Sequence, residues 1–173
     1  CALPILPGAA LGIITRDGDR AIRVAGSAQI EPEIIKLTST MWFDLASLTK
    51  VIFTTQRCLE LVDAGQIKLD TPLFYYLPDL RQYDLNAAER HLTVRKLLTH
   101  ETSLPAVEPL YTLGQDTETL RAYILQRDWS KGVPVYSDIN FILLGLLIER
   151  VTGTSLKDQK LKRSEEHTSE LQS

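Results

Sequence analysis

The feature that most constrains the fold is a run of apolar residues near the end of the chain. Residues 139–148 are interrupted by one polar side chain, Asn140. A helix built from this run is apolar nearly all round, which is typical of a helix buried in a protein core. Because the run is well short of the ~20 residues that span a bilayer, no transmembrane segment is predicted. We expect a buried helix that is capped by Asp138 and ends at Gly153.

Two earlier segments show regular hydrophobic periodicity. Residues 9–16 and 20–26 are β-rich and flank the turn Asp17-Gly18-Asp19, which predicts a β-hairpin. Residues 47–64 carry apolar side chains at helical spacing and are followed by Gly65, a common residue at helix ends. The spacing predicts a long amphipathic helix at the centre of the domain.

Shorter helices are predicted between these elements. One runs through residues 92–99 with Thr93 as its N-cap, and another covers residues 117–126. No internal repeat, low-complexity segment or linker separates the elements, so they are expected to belong to one domain that combines helices and strands.

Composition and charge are those of an ordinary globular protein, with 44% hydrophobic residues, 24% charged residues and a formal net charge of -3. Nucleic-acid binding requires a basic surface, so no nucleic-acid partner is expected. The sequence offers no cluster of His, Cys and carboxylate ligands that would suggest a metal site.

Both ends of the chain resemble translated sequencing adapters. Residues 163–173 resemble an adapter read in one direction, and residues 1–5 resemble its reverse complement. Adapter-derived residues are not part of a fold, so Cys1 and His167 are given no role. We therefore interpret residues 6–162 as a partial domain from a longer reading frame.

The candidate nucleophile is Ser47, the only serine of the chain with a lysine three residues later, Lys50. Ser47 is predicted at the start of its helix, where side chains at i and i+3 share a face, so the ammonium should lie beside the hydroxyl. The positive end of the helix dipole also favours developing negative charge on the serine oxygen. The alternative is a serine that only caps the helix, followed by a solvated lysine.

Two further segments carry candidate site residues. Tyr136, Ser137 and Asp138 lie in a tight turn that opens the apolar helix. Tyr136 is available as a proton shuttle if a cation lowers the pKa of its phenol, and the alternative is a packed aromatic residue. His100 follows the helix over residues 92–99 and is expected to be structural, donating a hydrogen bond to a nearby carbonyl.

In this order the three segments resemble the serine β-lactamase-related family, which includes class C β-lactamases, D-alanyl-D-alanine carboxypeptidases and related esterases. The resemblance extends to Leu6-Pro7-Gly8-Ala9 and to residues 65–72. It implies an α+β fold of the β-lactamase/transpeptidase type, an antiparallel sheet flanked by a helical lobe, with the site where the two meet. It also suggests a bacterial periplasmic, secreted or envelope-associated protein.

The resemblance implies a role for each candidate. Ser47 would attack a carbonyl and form an acyl-enzyme, Lys50 and Tyr136 would handle its proton, and the Ser47 backbone N–H would supply one oxyanion donor. Ser137 and Asp138 would bind substrate or support the site. The substrate would be a small-molecule or peptide acyl compound, and no cofactor would be required.

The chain departs from the family pattern in two main ways. Asp138 stands where the family usually has asparagine, so a neutral donor becomes an anionic acceptor, and an ion pair with Lys50 would move the base role to Tyr136. The family's third motif, a Lys-Thr-Gly or His-x-Gly segment, is not found in the chain. We therefore expect the C-terminal part of the fold to be missing and the fragment itself to be inactive.

The function expected of the parent protein is hydrolysis or transfer of an ester or amide acyl group. Two alternatives stay open from the sequence. One is a D-Ala-D-Ala carboxypeptidase acting on cell-wall peptides, and the other is a non-catalytic penicillin-binding sensor module.

Overall fold

The computed structural model of the chain describes residues 6–114, 116–129 and 132–161. The two adapter-like segments, residues 1–5 and 163–173, lie outside the described residues. Their interpretation as adapter sequence therefore stays a prediction.

The first of two compact units, Cys1–Leu45, contains an antiparallel sheet. Its strands are β1, Gly8–Ile14, β2, Arg20–Gln29, and β3, Ile35–Lys36, in the order β1-β2-β3. β1 and β2 pair in the register of a hairpin, which confirms the hairpin predicted from the sequence. The short strand β3 was not predicted.

The second unit, Ala46–Ser173, contains the described helices. A π-helix, Lys50–Thr55, is followed directly by α1, Gln56–Asp63. The other α-helices are α2, Val94–Leu98, α3, Thr117–Gln126, and α4, Asp138–Thr152. Single 3-10 turns lie at Leu73–Tyr75, Ala88–His91, Leu110–Leu113 and Leu156–Asp158.

The long helix predicted over residues 47–64 forms, but its first turns are π-helical. Apolar periodicity does not reveal this, because it reports which face of a helix is buried and not which carbonyl each N–H reaches. The helix ends as predicted: Ala64 is the C-cap, and Gly65 follows with a φ of 70°. π-helical turns are rare and are frequent at functional sites.

The two shorter predicted helices are also present with the expected N-terminal signals. The Thr93 side chain caps α2 by accepting a hydrogen bond from the Lys96 N–H at 3.3 Å. Asp116 caps α3 by accepting one from the Thr119 N–H at 2.8 Å.

Helix α4 lies in the core of the second unit, which confirms the predicted buried helix. The predicted N-cap is wrong: Ser137 occupies the N-cap position, and Asp138 is the first helical residue. The Asp138 carboxylate instead forms an ion pair with Lys50 at 2.6 Å, an interaction available only through tertiary structure. Helix α4 ends, as predicted, at Gly153, which has a φ of 65°.

The core around α4 is formed by apolar side chains from most elements of the second unit. Its fully buried members include Cys58, Leu61, Ile67, Leu73, Leu77, Leu80, Val94, Leu97, Trp129, Ile139, Leu143, Leu144, Leu147 and Ile148. Cys58 is thus a core residue, and burial raises the pKa of its thiol to about 12. Within the described ranges, no helix combines the length and the apolar character needed to cross a bilayer.

We predict that Leu147→Ala lowers the free energy of unfolding by about 2–5 kcal/mol, because it opens a cavity in a fully buried part of the core. The matched control is Leu85→Ala, which removes the same atoms from a side chain that is 67% exposed and should cost less than about 0.5 kcal/mol. Urea unfolding followed by tryptophan fluorescence measures both. Equal losses in the two variants would contradict the placement of α4 in the core.

Candidate active site

Ser47 lies in a turn immediately before the first helical residues of the second unit. The backbone N–H of Lys50 donates to the carbonyl oxygen of Ser47 at 3.0 Å, so the two residues share the first helical turn. The preceding residue, Ala46, has a φ of 42°, a left-handed conformation that is uncommon for a residue with a Cβ. Such backbone strain of about 1–3 kcal/mol clusters at functional sites and marks this turn as a candidate.

Lys50 brings the site together. Its Nζ donates a hydrogen bond to Ser47 Oγ at 3.2 Å and a second to Asp138 Oδ1 at 2.6 Å. The same nitrogen lies 5.0 Å from the centre of the Tyr136 ring and 5.7 Å from that of Phe141. The lysine side chain is only 13% exposed, so these contacts replace most of its hydration. The structure therefore brings the predicted Ser47, Lys50, Tyr136 and Asp138 together.

The ion pair keeps Lys50 charged. Burial is the largest single influence on its pKa and acts against the charged form. Hydrogen bonds to Asp138 and Tyr136 outweigh burial, and the pKa of Lys50 is raised above its ordinary value. Lys50 is thus an ammonium ion at neutral pH and donates to Ser47 Oγ without being able to accept its proton.

Tyr136 has the opposite electrostatic character. Its pKa is lowered, first by hydrogen bonding with Ser47 and then by hydrogen bonding with Lys50. The residue is about half exposed, so its hydroxyl is within reach of a ligand at this surface. A phenol with a lowered pKa beside a serine hydroxyl is suited to general base catalysis.

Ser137 and His100 occupy the layer behind these groups. Ser137 is fully buried, and its hydroxyl donates to the Pro105 carbonyl at 2.6 Å, so its side chain supports the turn and does not face a ligand. The His100 ring centre lies 4.3 Å from that of Tyr136. His100 Nδ1 accepts a hydrogen bond from the Ser137 N–H at 3.0 Å, so this nitrogen is an acceptor.

Two residues of this supporting layer were missed in the sequence. Asn140 and Thr102 are both buried, and the Thr102 hydroxyl donates to Asn140 Oδ1 at 2.6 Å. The signal for Asn140 was its position as the single polar residue in an apolar run, because a buried amide needs hydrogen-bond partners. Thr102 carried no comparable signal. Among the described residues, no group of three or more His, Cys, Asp or Glu side chains is placed to hold a metal ion.

Comparison with known proteins shows the family of the chain. A family model described as Beta-lactamase matches residues 2–160, and the chain therefore belongs to the beta-lactamase family. It is 31% identical to the N-acetylmuramyl-L-alanine amidase of Bacillus subtilis, with 87% of this chain and 38% of that protein covered. It is 28% identical to penicillin-binding protein 4 of Amycolatopsis lactamdurans, with 88% and 40% covered.

Solved structures agree with the family. The class C beta-lactamase from Rhodobacter sphaeroides superposes with a TM-score of 0.65 at 29% identity, covering 88% of this chain and 41% of that chain. The expected α+β fold of the β-lactamase/transpeptidase type is confirmed. The chain spans about 40% of the length of the relatives it matches.

We predict that Asp138→Asn lowers the pKa of Lys50, because it removes the carboxylate that favours the ammonium while the burial of the lysine remains. Lysine 13Cε chemical shifts followed against pH measure the change, with Lys50→Arg assigning the signal. The control Asp63→Asn removes an exposed carboxylate from α1 and should leave the Lys50 titration unmoved. An unchanged Lys50 pKa in Asp138→Asn would show that the ion pair does not set the charge of the lysine.

Proposed function

We propose that this chain carries the nucleophile and the proton-transfer groups of a serine hydrolase that forms an acyl-enzyme on an ester or amide substrate. The observation that carries the proposal is the 3.2 Å hydrogen bond from Lys50 Nζ to Ser47 Oγ, in a site where Tyr136 also hydrogen-bonds Ser47. A serine hydroxyl is a weak nucleophile at neutral pH unless a neighbouring group takes its proton. Tyr136 can take the proton of Ser47, and Lys50 supplies a positive charge beside both hydroxyls.

The proton moves through Tyr136 and not through Lys50. Lys50 is paired with Asp138 and already protonated, so its charge stabilises the phenolate form of Tyr136. The phenolate takes the Ser47 proton while the bond from Oγ to the carbonyl carbon forms and the carbonyl π electrons move to its oxygen. Tyr136 then returns the proton to the leaving oxygen or nitrogen as its bond to carbon breaks. Water attacks the acyl group by the same route, and Ser47 regains its proton.

The developing oxyanion needs hydrogen-bond donors, and the chain supplies one of them. We propose that this donor is the backbone N–H of Ser47, which lies immediately before the first helical turn. The sequence has no Lys-Thr-Gly or His-x-Gly segment to supply the second donor. Because the loss of one donor costs about 10²–10³ in rate, we propose that turnover by this chain alone is low.

Asp138 argues against a dedicated β-lactamase, because a carboxylate cannot donate a hydrogen bond to a substrate amide carbonyl. The second candidate is a D-Ala-D-Ala carboxypeptidase, and the similarity to a penicillin-binding protein supports it. Acylation of Ser47 by an acyl-D-alanyl-D-alanine peptide favours the carboxypeptidase, and acylation by a p-nitrophenyl ester alone favours the esterase. A penicillin adduct that is never released, with no reaction of the other two compounds, would indicate the sensor module.

We predict that a fluorophosphonate ester, which reacts with activated serines without needing turnover, labels the chain once, at Ser47. Intact-mass and peptide mass spectrometry measure the adduct. Ser47→Ala should abolish labelling, whereas the control Ser39→Ala, at an exposed serine of the first unit, should label as the unchanged chain does. Labelling at another residue, or none in the folded chain, would contradict Ser47 as the nucleophile.

We also predict that Tyr136→Phe slows this labelling by about 10²–10⁴-fold, because it removes the group that takes the serine proton. The control Tyr83→Phe removes the same hydroxyl from a side chain that is 89% exposed and should leave the rate unchanged. Stopped samples analysed by mass spectrometry give both rates. A Tyr136→Phe rate within about threefold of the unchanged chain would return the base role to Lys50.

A further inference from the structure

His100 occupies a backbone position that suits glycine better than histidine. Its φ is 57°, in the left-handed region, directly after the C-cap of α2. The His100 N–H donates to the Leu97 carbonyl at 3.3 Å, and the Glu101 N–H donates to the Lys96 carbonyl at 2.9 Å. These two bonds form the Schellman motif, in which glycine is the common residue at this position. The helix end alone therefore does not explain a histidine.

The side chain of His100 explains the residue better, because it contacts the turn that carries Tyr136. Nδ1 accepts a hydrogen bond from the Ser137 N–H at 3.0 Å and lies 3.2 Å from Asn140 Nδ2. The ring packs against Tyr136 with the centres 4.3 Å apart and the planes inclined by 33°. It also packs against Phe141, with the centres 5.2 Å apart. One side chain thus holds the residues on both sides of Ser137.

The contacts of His100 require an unprotonated Nδ1. The Ser137 N–H is always a donor, and Asn140 presents its Nδ2 because its Oδ1 accepts from the Thr102 hydroxyl at 2.6 Å. The ring is therefore neutral, with its proton on Nε2. Burial and the charge of Lys50 lower the pKa of His100, while the Asp138 carboxylate acts in the opposite direction.

We propose that His100 is the positioning residue for Tyr136, holding the phenol against Ser47 and Lys50 through its Nδ1 hydrogen bond to the Ser137 N–H. The inference rests on the proposed role of Tyr136 as the base. The contacts described above join His100 to Tyr136, Ser137, Asn140 and Phe141, and not to Ser47 Oγ. Its effect on the reaction therefore passes through Tyr136. Protonation of His100 at Nδ1 places an N–H against the Ser137 N–H and breaks the hydrogen bond between the two residues.

Two substitutions separate positioning from helix capping. His100→Gly favours the left-handed backbone and removes the imidazole. His100→Asn also tolerates this conformation and places its Oδ1 where Nδ1 was, so it keeps the acceptor without the titrating ring. If His100 only ended α2, both variants would preserve the site, and glycine would do so best.

The Tyr136 pKa, measured from the 13Cζ shift of labelled tyrosine in the intact chain, reports positioning without any reaction. We expect His100→Gly to raise this pKa toward its ordinary value and to slow fluorophosphonate labelling about 10- to 100-fold. We expect His100→Asn to keep the lowered pKa and most of the labelling rate. Below about pH 6, the rate should fall more steeply in the unchanged chain than in His100→Asn, because only the former can protonate at this position.

Several outcomes would overturn the positioning role. One is a folded His100→Gly chain with the Tyr136 pKa unmoved, and another is a His100→Asn chain that behaves as His100→Gly does. If His100→Gly does not fold, the pH profiles of the unchanged chain and His100→Asn decide, and equal steepness below about pH 6 overturns the proposal. Absence of labelling in the unchanged chain would reject the proposed function, while the Tyr136 pKa in the variants would still test positioning.

Discussion

The rest of the site depends on the ammonium group of Lys50 and on the two hydrogen bonds that it donates, to Ser47 and Asp138. The Lys50 side chain is only 13% exposed, and a charge withdrawn from water in this way needs a partner that offsets its lost hydration. The partner is Asp138, 88 residues later in the chain, at the first turn of α4. The pair therefore joins the start of the π-helix to the start of the buried helix. Ser47 and Tyr136, which flank these two positions in sequence, are brought together as a consequence.

Behind the ion pair lies a second polar layer that determines how α4 begins. Asn140 and Thr102 bond each other in the core, Ser137 donates to the Pro105 carbonyl, and the Asp138 N–H donates to the Ala106 carbonyl at 2.8 Å. Buried polar groups of this kind stabilise a structure only when they are satisfied, so they favour one arrangement of the turn over its alternatives. The layer ties residues 100–106 to the start of α4. The chemistry proposed at Ser47 thus depends on buried polar groups behind the site.

Local patterns predicted the elements well, whereas long-range contacts decided the site. The hydrophobic period predicted the hairpin, the long helix and α4, and the spacing of Ser47 and Lys50 predicted their contact, because positions i and i+3 meet within one helical turn. The placement of Tyr136 beside them followed from resemblance and not from spacing. The local pattern predicted Asp138 as the cap of α4, whereas its ion pair with Lys50, 88 residues away, was suggested by the resemblance and not by any local pattern. The bond between Nδ1 of His100 and the Ser137 N–H depends in the same way on tertiary packing.

A crystal structure of the chain after reaction with the fluorophosphonate tests the central claim most directly. The account predicts a covalent bond from Ser47 Oγ to phosphorus, Lys50 Nζ between Ser47 and Asp138, and the Tyr136 hydroxyl against the phosphonate. It also predicts a phosphonyl oxygen within hydrogen-bond distance of the Ser47 N–H. A Lys50 side chain turned away from Ser47 and Asp138, with the adduct formed nonetheless, would contradict the claim that this ammonium group organises the site.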